Sequence, residues 1–370
     1  MLRGIREKVR EGQRIGQEEG LYLLRQAGLL DLASLASAVR FRLHPGKAVT
    51  FLVDTNPNYT NVCETGCLFC AFHRKPEAPD AYTLSMEEVM ARIAGAVRQR
   101  ATTVLLQGGH NQELPLEYYL NLVRETRRRF PGVTPHFFSA TEVREMARVS
   151  GLSVREVLEK LRDAGQYTLP GGGAEILSDR VRRRISPRKG PVEEWLEAHR
   201  EAHNLGFKTT ATMMYGHLEA PEDVIQHLEA IRRLQDETGG FTAFIPWSFK
   251  PANTRLGKWV KEQVGPNQYL RIIALSRVYL DNFPHVQASW FSEGKKVGQV
   301  ALHFGADDFG GTLIEESVHR AAGFVNTTSL DEVLALIREA GFTPAQRTTL
   351  YESREFHEWE RPGTRLKSRS

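Results

Sequence analysis

The sequence predicts an α/β protein of the (β/α)8 TIM-type barrel class, with an N-terminal helical lead-in and a C-terminal helical extension. Three observations carry that prediction. From residue 48, short β-branched or aromatic runs alternate with longer amphipathic stretches that hold Glu and Arg on their outer positions, which is the rhythm of βα units. Eight such runs can be counted, the number that closes a barrel. Polar and glycine-rich residues follow most runs directly, where a parallel barrel presents its chemistry. A doubly wound open sheet is the alternative, since parallel βα repeats build both folds.

Taken in order, residues 1–47 read as a helical segment, with Leu21, Leu23, Leu24, Leu29, Leu30, Leu32 and Leu35 among charges and Gly20 and Gly28 as breaks. The barrel is expected over residues 48–325. Its strands are expected at Val49–Val53, Thr103–Gln107, His136–Ser139, Tyr167–Leu169, Thr209–Met213, Thr242–Pro246, Val286–Trp290 and Val300–Phe304. Helices are expected at Met86–Arg100, Leu116–Phe130, Val192–Leu205, Pro221–Glu237 and Asn267–Asn282. Residues 326–370 add an amphipathic helix over Ser329–Ala340 and a basic tail, Arg361–Ser370, to which no chemistry is assigned.

Composition excludes several classes. Of 370 residues 41% are hydrophobic and 25% charged, enough apolar material for a sizeable core. A net charge of +4 is too small at this length to argue for a nucleic-acid partner. No apolar run approaches the roughly 18 residues a membrane span needs. The start, MLRGIREKVREGQRIG, is too charged for a secretory signal. A cytoplasmic protein without a membrane or nucleic-acid partner is expected.

The three cysteines, Cys63, Cys67 and Cys70, fall within one eight-residue window as C-x3-C-x2-C, in the loop after the first expected strand. A disulfide framework would use even numbers at scattered positions. A structural zinc site wants a fourth ligand, for which His73 is the nearest candidate, and a redox pair at Cys67 and Cys70 would leave Cys63 unexplained. Three thiolates on a 4Fe-4S cube leave one iron free to bind a small chelating molecule.

This spacing, with the aromatic Phe69 directly before the third cysteine, resembles the signature of the radical S-adenosylmethionine (SAM) superfamily. The resemblance implies a 4Fe-4S cluster held by Cys63, Cys67 and Cys70. It also implies SAM bound on the open iron and cleaved reductively to a 5′-deoxyadenosyl radical. Gly108-Gly109 resembles the superfamily's glycine pair, whose bare backbone approaches SAM. By the same resemblance Phe69 packs on adenine, Glu175 contacts SAM and Ser139 contacts substrate. An electron donor such as flavodoxin or ferredoxin is implied as a partner.

Five further stretches narrow the family: Pro170 to Leu177, Asp179 to Pro187, Thr209 to His217, Gln235 to Trp247 and Phe304 to Gly311. Together they resemble the cyclic dehypoxanthine futalosine synthase family of menaquinone biosynthesis, over roughly residues 45–325. Aminofutalosine synthase and the paired subunits of the deazaflavin FO synthase are sister families. The resemblance implies hydrogen abstraction from C4′ of a sugar and radical addition to a benzoate ring. His217, Tyr215 and Asp308 are the candidates for the base that ends the reaction, and Ser139, Ser289 and Asp308 for substrate contacts. Arg182 to Arg184 invite assignment to a substrate carboxylate, but a charge run on a helix is usually a solvated face. The eighth-strand motif departs from the family at Asp307, where Asn is expected.

Overall fold

A computed structural model describes residues 1–356. The tail Arg361–Ser370 lies outside the described residues. The chain opens with three helices, α1 (Leu2–Glu11), α2 (Gln17–Arg25) and α3 (Leu29–Leu43). Then follow β1 (Ala48–Leu52), β2 (Asp54–Thr55), α4 (Met86–Arg98), β3 (Thr103–Leu106), α5 (Leu116–Arg129), β4 (Thr134–Phe137), α6 (Ala140–Ser150), α7 (Val154–Asp163) and β5 (Thr168–Leu169). The second half holds α8 (Asp179–Ile185), α9 (Val192–Asn204), β6 (Lys208–Tyr215), α10 (Pro221–Thr238), β7 (Phe241–Ser248), α11 (Pro266–Tyr279) and β8 (His285–Val286). It ends with α12 (Trp290–Glu293), α13 (Lys295–Ala301), β9 (Asp308–Gly311), α14 (Val318–Ala321), α15 (Leu330–Glu339), β10 (Thr343–Arg347) and β11 (Ser353–Phe356).

Local signals explain the helices. α3 buries Leu32, Leu35, Ala36 and Val39, the i, i+3, i+4, i+7 stripe of one face, and lays it against α11. α4 starts where Ser85 accepts from the Glu88 amide and the Glu88 carboxylate accepts from Ser85 in return, which satisfies two otherwise free helix-end donors. Every expected helix forms, with ends within three residues of the reading.

The strands close a parallel barrel. β2, β3 and β4 pair in sequence, as do β5, β6, β7 and β8. β1 and β2 are two halves of the first staves, for β1 pairs with β9 and β2 with β3. A parallel bridge from Gln287 to Asp308 joins β8 to β9. Between β4 and β5 side chains span the seam: the Thr168 hydroxyl donates to the Pro135 carbonyl at 3.0 Å and the Gln166 amide to the Phe137 carbonyl at 2.8 Å.

Two strand expectations are corrected. Val300–Phe304 is not a strand: Val300 lies in α13 and Leu302–Phe304 make a single 3-10 turn, ended by Gly305 at φ +98°. Ala301, Leu302 and Phe304 are buried while Val300 is 43% exposed, so the run packs by one face of a turn and not by alternation. The true eighth stave is β9, Asp-Phe-Gly-Gly, which has too little β-branched content to read as a strand. The seventh expected strand stops at Val286, and Trp290 begins α12.

β10 pairs in parallel with β1, Ala48 opposite Thr343 through Phe51 opposite Gln346. These residues belong to the segment that the sequence reading set after the barrel. Past β10 the chain turns inward, where the Thr103 and Thr349 hydroxyls meet at 2.7 Å. The barrel base is thus closed by the C-terminal segment. Among the described residues no helix is long and apolar enough to cross a membrane.

Candidate active site

A cavity of about 340 Å³ opens at the carboxyl ends of the staves. On one side lies the loop after β2, which the chain ties to itself. The Cys63 amide donates to the Arg74 carbonyl at 2.9 Å, and the Arg74 amide to the Asn61 carbonyl at 2.7 Å. Arg74 Nη1 also binds the carbonyls of Ala71 and His73, and Gly66 at φ +59° makes the turn between the first two cysteines. All three thiols are free and line the cavity. Burial pushes the Cys67 thiol up to about 12, against the pull of the Lys189 ammonium. A metal would reverse that shift by deprotonating the thiol outright.

The glycine pair serves packing first. A Cβ on Gly109 would stand 2.1 Å from the Val62 carbonyl oxygen and 2.9 Å from Cys63 Cβ, and one on Gly108 would meet the Tyr59 ring at 2.7 Å. Only glycine lets the cysteine loop lie this close to the end of β3. The Gly108 amide donates to Glu142 at 3.0 Å, and the same buried carboxylate accepts from the Tyr59 hydroxyl and from the Ser139 amide and hydroxyl. Ser139 therefore lines the cavity with its hydroxyl committed to Glu142.

Glu175 also lines the cavity, held at φ +48° and paired with Lys189 at 2.5 Å. Lys189 stands 5.2 Å from the centre of the Phe69 ring. The sequence reading missed this lysine, which follows α8 in an ordinary-looking Arg-Lys-Gly. Only the tertiary fold sets its charge among Cys67, Phe69 and Glu175.

The floor is polar. Arg347, from β10, clasps Asp308 through Nε and, at 3.0 Å, through Nη2. Asp54 faces the same cavity, and burial first, then the neighbouring Asp308, raises its carboxyl to about 6. His136 on β4 lines the cavity and makes no side-chain hydrogen bond among the described residues, and its Nδ1 is sealed from solvent. Burial and the Arg347 cation hold the ring neutral, down at about 3.

Phe69, Gly108, Gly109, Glu175, Ser139 and the three cysteines are thus brought together. His217, Tyr215, Ser289 and Asp308 do not line the cavity. His217 Nε2 bonds the Met214 carbonyl at 3.0 Å, and Nδ1 accepts from the Leu218 amide at 2.7 Å. The Tyr215 ring is fully buried, with its hydroxyl unpartnered. The Ser289 hydroxyl donates to the Pro246 carbonyl at 2.6 Å, and Asp308 is spent on Arg347, Thr50 and the Gly310 amide. Arg182 is buried and caps the carbonyls of Gly173 and Ala174. Asp307 lies at the amino end of β9, where Arg277 and His285 hold it and keep its carboxyl well below the usual range; the Arg277 guanidinium already fills the place of a cation there.

Residues 57–231 match the family model described as the radical SAM superfamily, and residues 238–359 match the CofH/MqnC C-terminal region. The cyclic dehypoxanthine futalosine synthase of Halalkalibacterium halodurans is 42% identical over 94% of this chain and 94% of its own length. The chain belongs to the radical SAM superfamily. It lies in the branch that carries the CofH/MqnC C-terminal region. The aminodeoxyfutalosine synthase of Thermus thermophilus is 41% identical, covering 97% of this chain and 99% of its own. The 5-amino-6-(D-ribitylamino)uracil–L-tyrosine 4-hydroxyphenyl transferase of Methanopyrus kandleri is 43% identical over 91% and 93%. Among solved structures, methylornithine synthase (PylB) matches with a TM-score of 0.74 at 18% identity over 92% of this chain and 97% of that one. The hydrogenase maturase HydG matches with a TM-score of 0.75 at 18% identity over 95% and 76%. These two show the barrel fold. The radical SAM chain is an enzyme that uses a 4Fe-4S cluster and SAM. Its donor set fits that cofactor, for three free thiols share one loop, the chain has no fourth, and a buried cation stands beside them.

Proposed function

We propose that the protein closes dehypoxanthine futalosine to its cyclic form, as a cytoplasmic enzyme of menaquinone biosynthesis. The observation that carries this reading is the likeness to two cyclic dehypoxanthine futalosine synthases. Those of H. halodurans and Streptomyces coelicolor are 42% and 41% identical, and each alignment covers 90% or more of both chains. The T. thermophilus relative favours aminodeoxyfutalosine synthase as the second reading.

In this reading Cys63, Cys67 and Cys70 would hold the cluster, and SAM bound with it would supply a 5′-deoxyadenosyl radical. The Lys189 ammonium offsets the negative charge gathered by the thiolates. Gly108 and Gly109 offer SAM a bare backbone edge, Phe69 an aromatic face, and Glu175 a carboxylate already fixed by its ion pair. The C-terminal segment keeps bulk water from the barrel base, which protects a substrate radical from stray hydrogen donors. Cyclisation removes two hydrogens from the substrate: the 5′-deoxyadenosyl radical would take one from C4′ as an atom, giving 5′-deoxyadenosine, and the ring gives up the other as a proton and an electron, the electron passing to a one-electron acceptor such as the oxidised cluster. His136 is placed to take that proton, since it lines the cavity without a hydrogen-bond partner among the described residues; a ring held at about 3 is a weak base, and a weak base suffices because loss of the proton restores aromaticity.

The test is an anaerobic assay of reduced, reconstituted protein with SAM and three substrate sets. A product two mass units lighter than dehypoxanthine futalosine is expected. Unchanged futalosine together with an adenine-containing product from enolpyruvyl-benzoate would decide for the second reading. Coupling of tyrosine to the ribitylaminouracil would decide for the transferase activity.

A further inference from the structure

The side of the cysteine loop that faces away from the cavity is clasped by two distant segments. The Leu68 amide donates to the Ile185 carbonyl at 2.8 Å, and the Leu68 carbonyl accepts from the Leu256 amide at 2.8 Å. Arg188 donates to the Glu64 carbonyl at 2.8 Å. Neither Leu68 nor Glu64 belongs to the cavity lining, although Cys67 and Phe69 beside Leu68 do. The end of α8 and the loop after β7 therefore flank the outer face of Leu68, which directly follows Cys67.

Both flanks are basic. One carries Arg183, Arg184 and Arg188, the other Arg255, Lys258 and Lys261, all exposed. No acidic residue occurs in residues 183–188 or 255–261, and exposed Glu262 follows the second run directly, which leaves an excess of five positive charges over the two flanks. None of the six cations forms an ion pair among the described residues, whereas surface arginines such as Arg124, Arg128, Arg129 and Arg200 are matched with glutamates. Trp259, 65% exposed, stands within the second flank. An excess of unpaired positive charge beside an exposed aromatic is how a transient interface steers and then anchors a partner of opposite charge.

We propose that this face docks an acidic one-electron carrier protein, which passes its electron to the cysteine loop from outside the barrel. The carrier loses one electron and the cluster gains one; no bond changes. Because the face lies outside the cavity lining, carrier and substrate need not compete. The inference rests on the radical SAM chemistry and holds whichever substrate the cavity takes.

The test uses the holoenzyme and flavodoxin as probe, with two readouts: equilibrium binding of flavodoxin, and SAM cleavage driven by reduced flavodoxin or by dithionite, without futalosine. Wild-type binding is expected to weaken at least about tenfold between about 50 and 300 mM salt. Arg184→Glu combined with Lys258→Glu is expected to weaken binding and flavodoxin-driven cleavage at least about tenfold, with dithionite-driven cleavage within about twofold of wild type. A control of equal charge change on remote, exposed cations, Arg98→Glu with Lys160→Glu, should leave both readouts unchanged. Wild-type binding by the first pair, equal loss in the control, or a matching loss with dithionite would each overturn the proposal.

Discussion

At the mouth of the barrel, Cys63, Cys67 and Cys70 come from one continuous loop whose turns are tied by its own backbone and by Arg74. At the floor, Arg347 reaches Asp308 on another strand, and Asp54 adds its charge from the opposite end of the chain. The three thiols of the mouth are thus set in place largely within one segment, while the Arg347–Asp308 pair of the floor exists only through the tertiary fold. Two buried carboxylates there depend on a single guanidinium. The contrast implies that damage at the mouth costs activity and damage at the floor costs the fold.

The sharpest way to break that contrast is Cys67→Ala. Bound iron is expected to be lost and SAM cleavage to fall at least about a thousandfold, roughly 4 kcal/mol in the rate, with the urea midpoint of the apoprotein unmoved. Arg347→Met should do the reverse. It leaves Asp308 buried without its cation, a loss of about 3–5 kcal/mol measurable by urea unfolding, of which Asp308→Asn in the same chain should recover part. His136→Gln separates proton transfer from radical generation. SAM cleavage is expected to persist while cyclised product falls about a hundredfold, the usual scale of a lost acid–base group.

Gly109→Ala tests whether packing or SAM approach demands glycine. Its Cβ would collide with the Val62 carbonyl, so about 1–3 kcal/mol of stability should go along with iron retention. Gly132→Ala, with nothing within 4 Å, should stay within about 0.5 kcal/mol of wild type. The smallest effect is a slope. Burial raises Asp54 from 3.8 to about 6, so the folded state holds its proton more tightly than the unfolded chain does. That contribution is complete below pH 3.8 and lost as pH rises through 6. Asp54→Asn should flatten the curve over this window, where the wild-type slope is at most about 1.4 kcal/mol per pH unit.

What could be read beforehand follows the same division. The cysteine spacing, the glycine pair and the amphipathic helices are local patterns, and sequence displays them directly. Lys189, Arg347 and His136 carry no local mark; each matters because of what the fold sets beside it. His217 and Tyr215 draw attention by their place at the end of a stave, yet Tyr215 still belongs to β6 with its ring buried, and the turn after β6 folds His217 back so that a neighbouring amide and carbonyl take up the imidazole. The eighth stave was misplaced because two consecutive glycines in β9 hide a strand, while the apolar run before it satisfies a helix equally well.

The pairing of Ala48 with Thr343 has a consequence for synthesis. A ribosome adding about 5–20 residues per second takes roughly 15–60 s to travel from one partner to the other. Throughout that interval the nascent chain holds Asp54 and its neighbours without the guanidinium that neutralises them, under an open base. Emergence of β10, and not of the cysteine loop, therefore sets when the barrel becomes watertight.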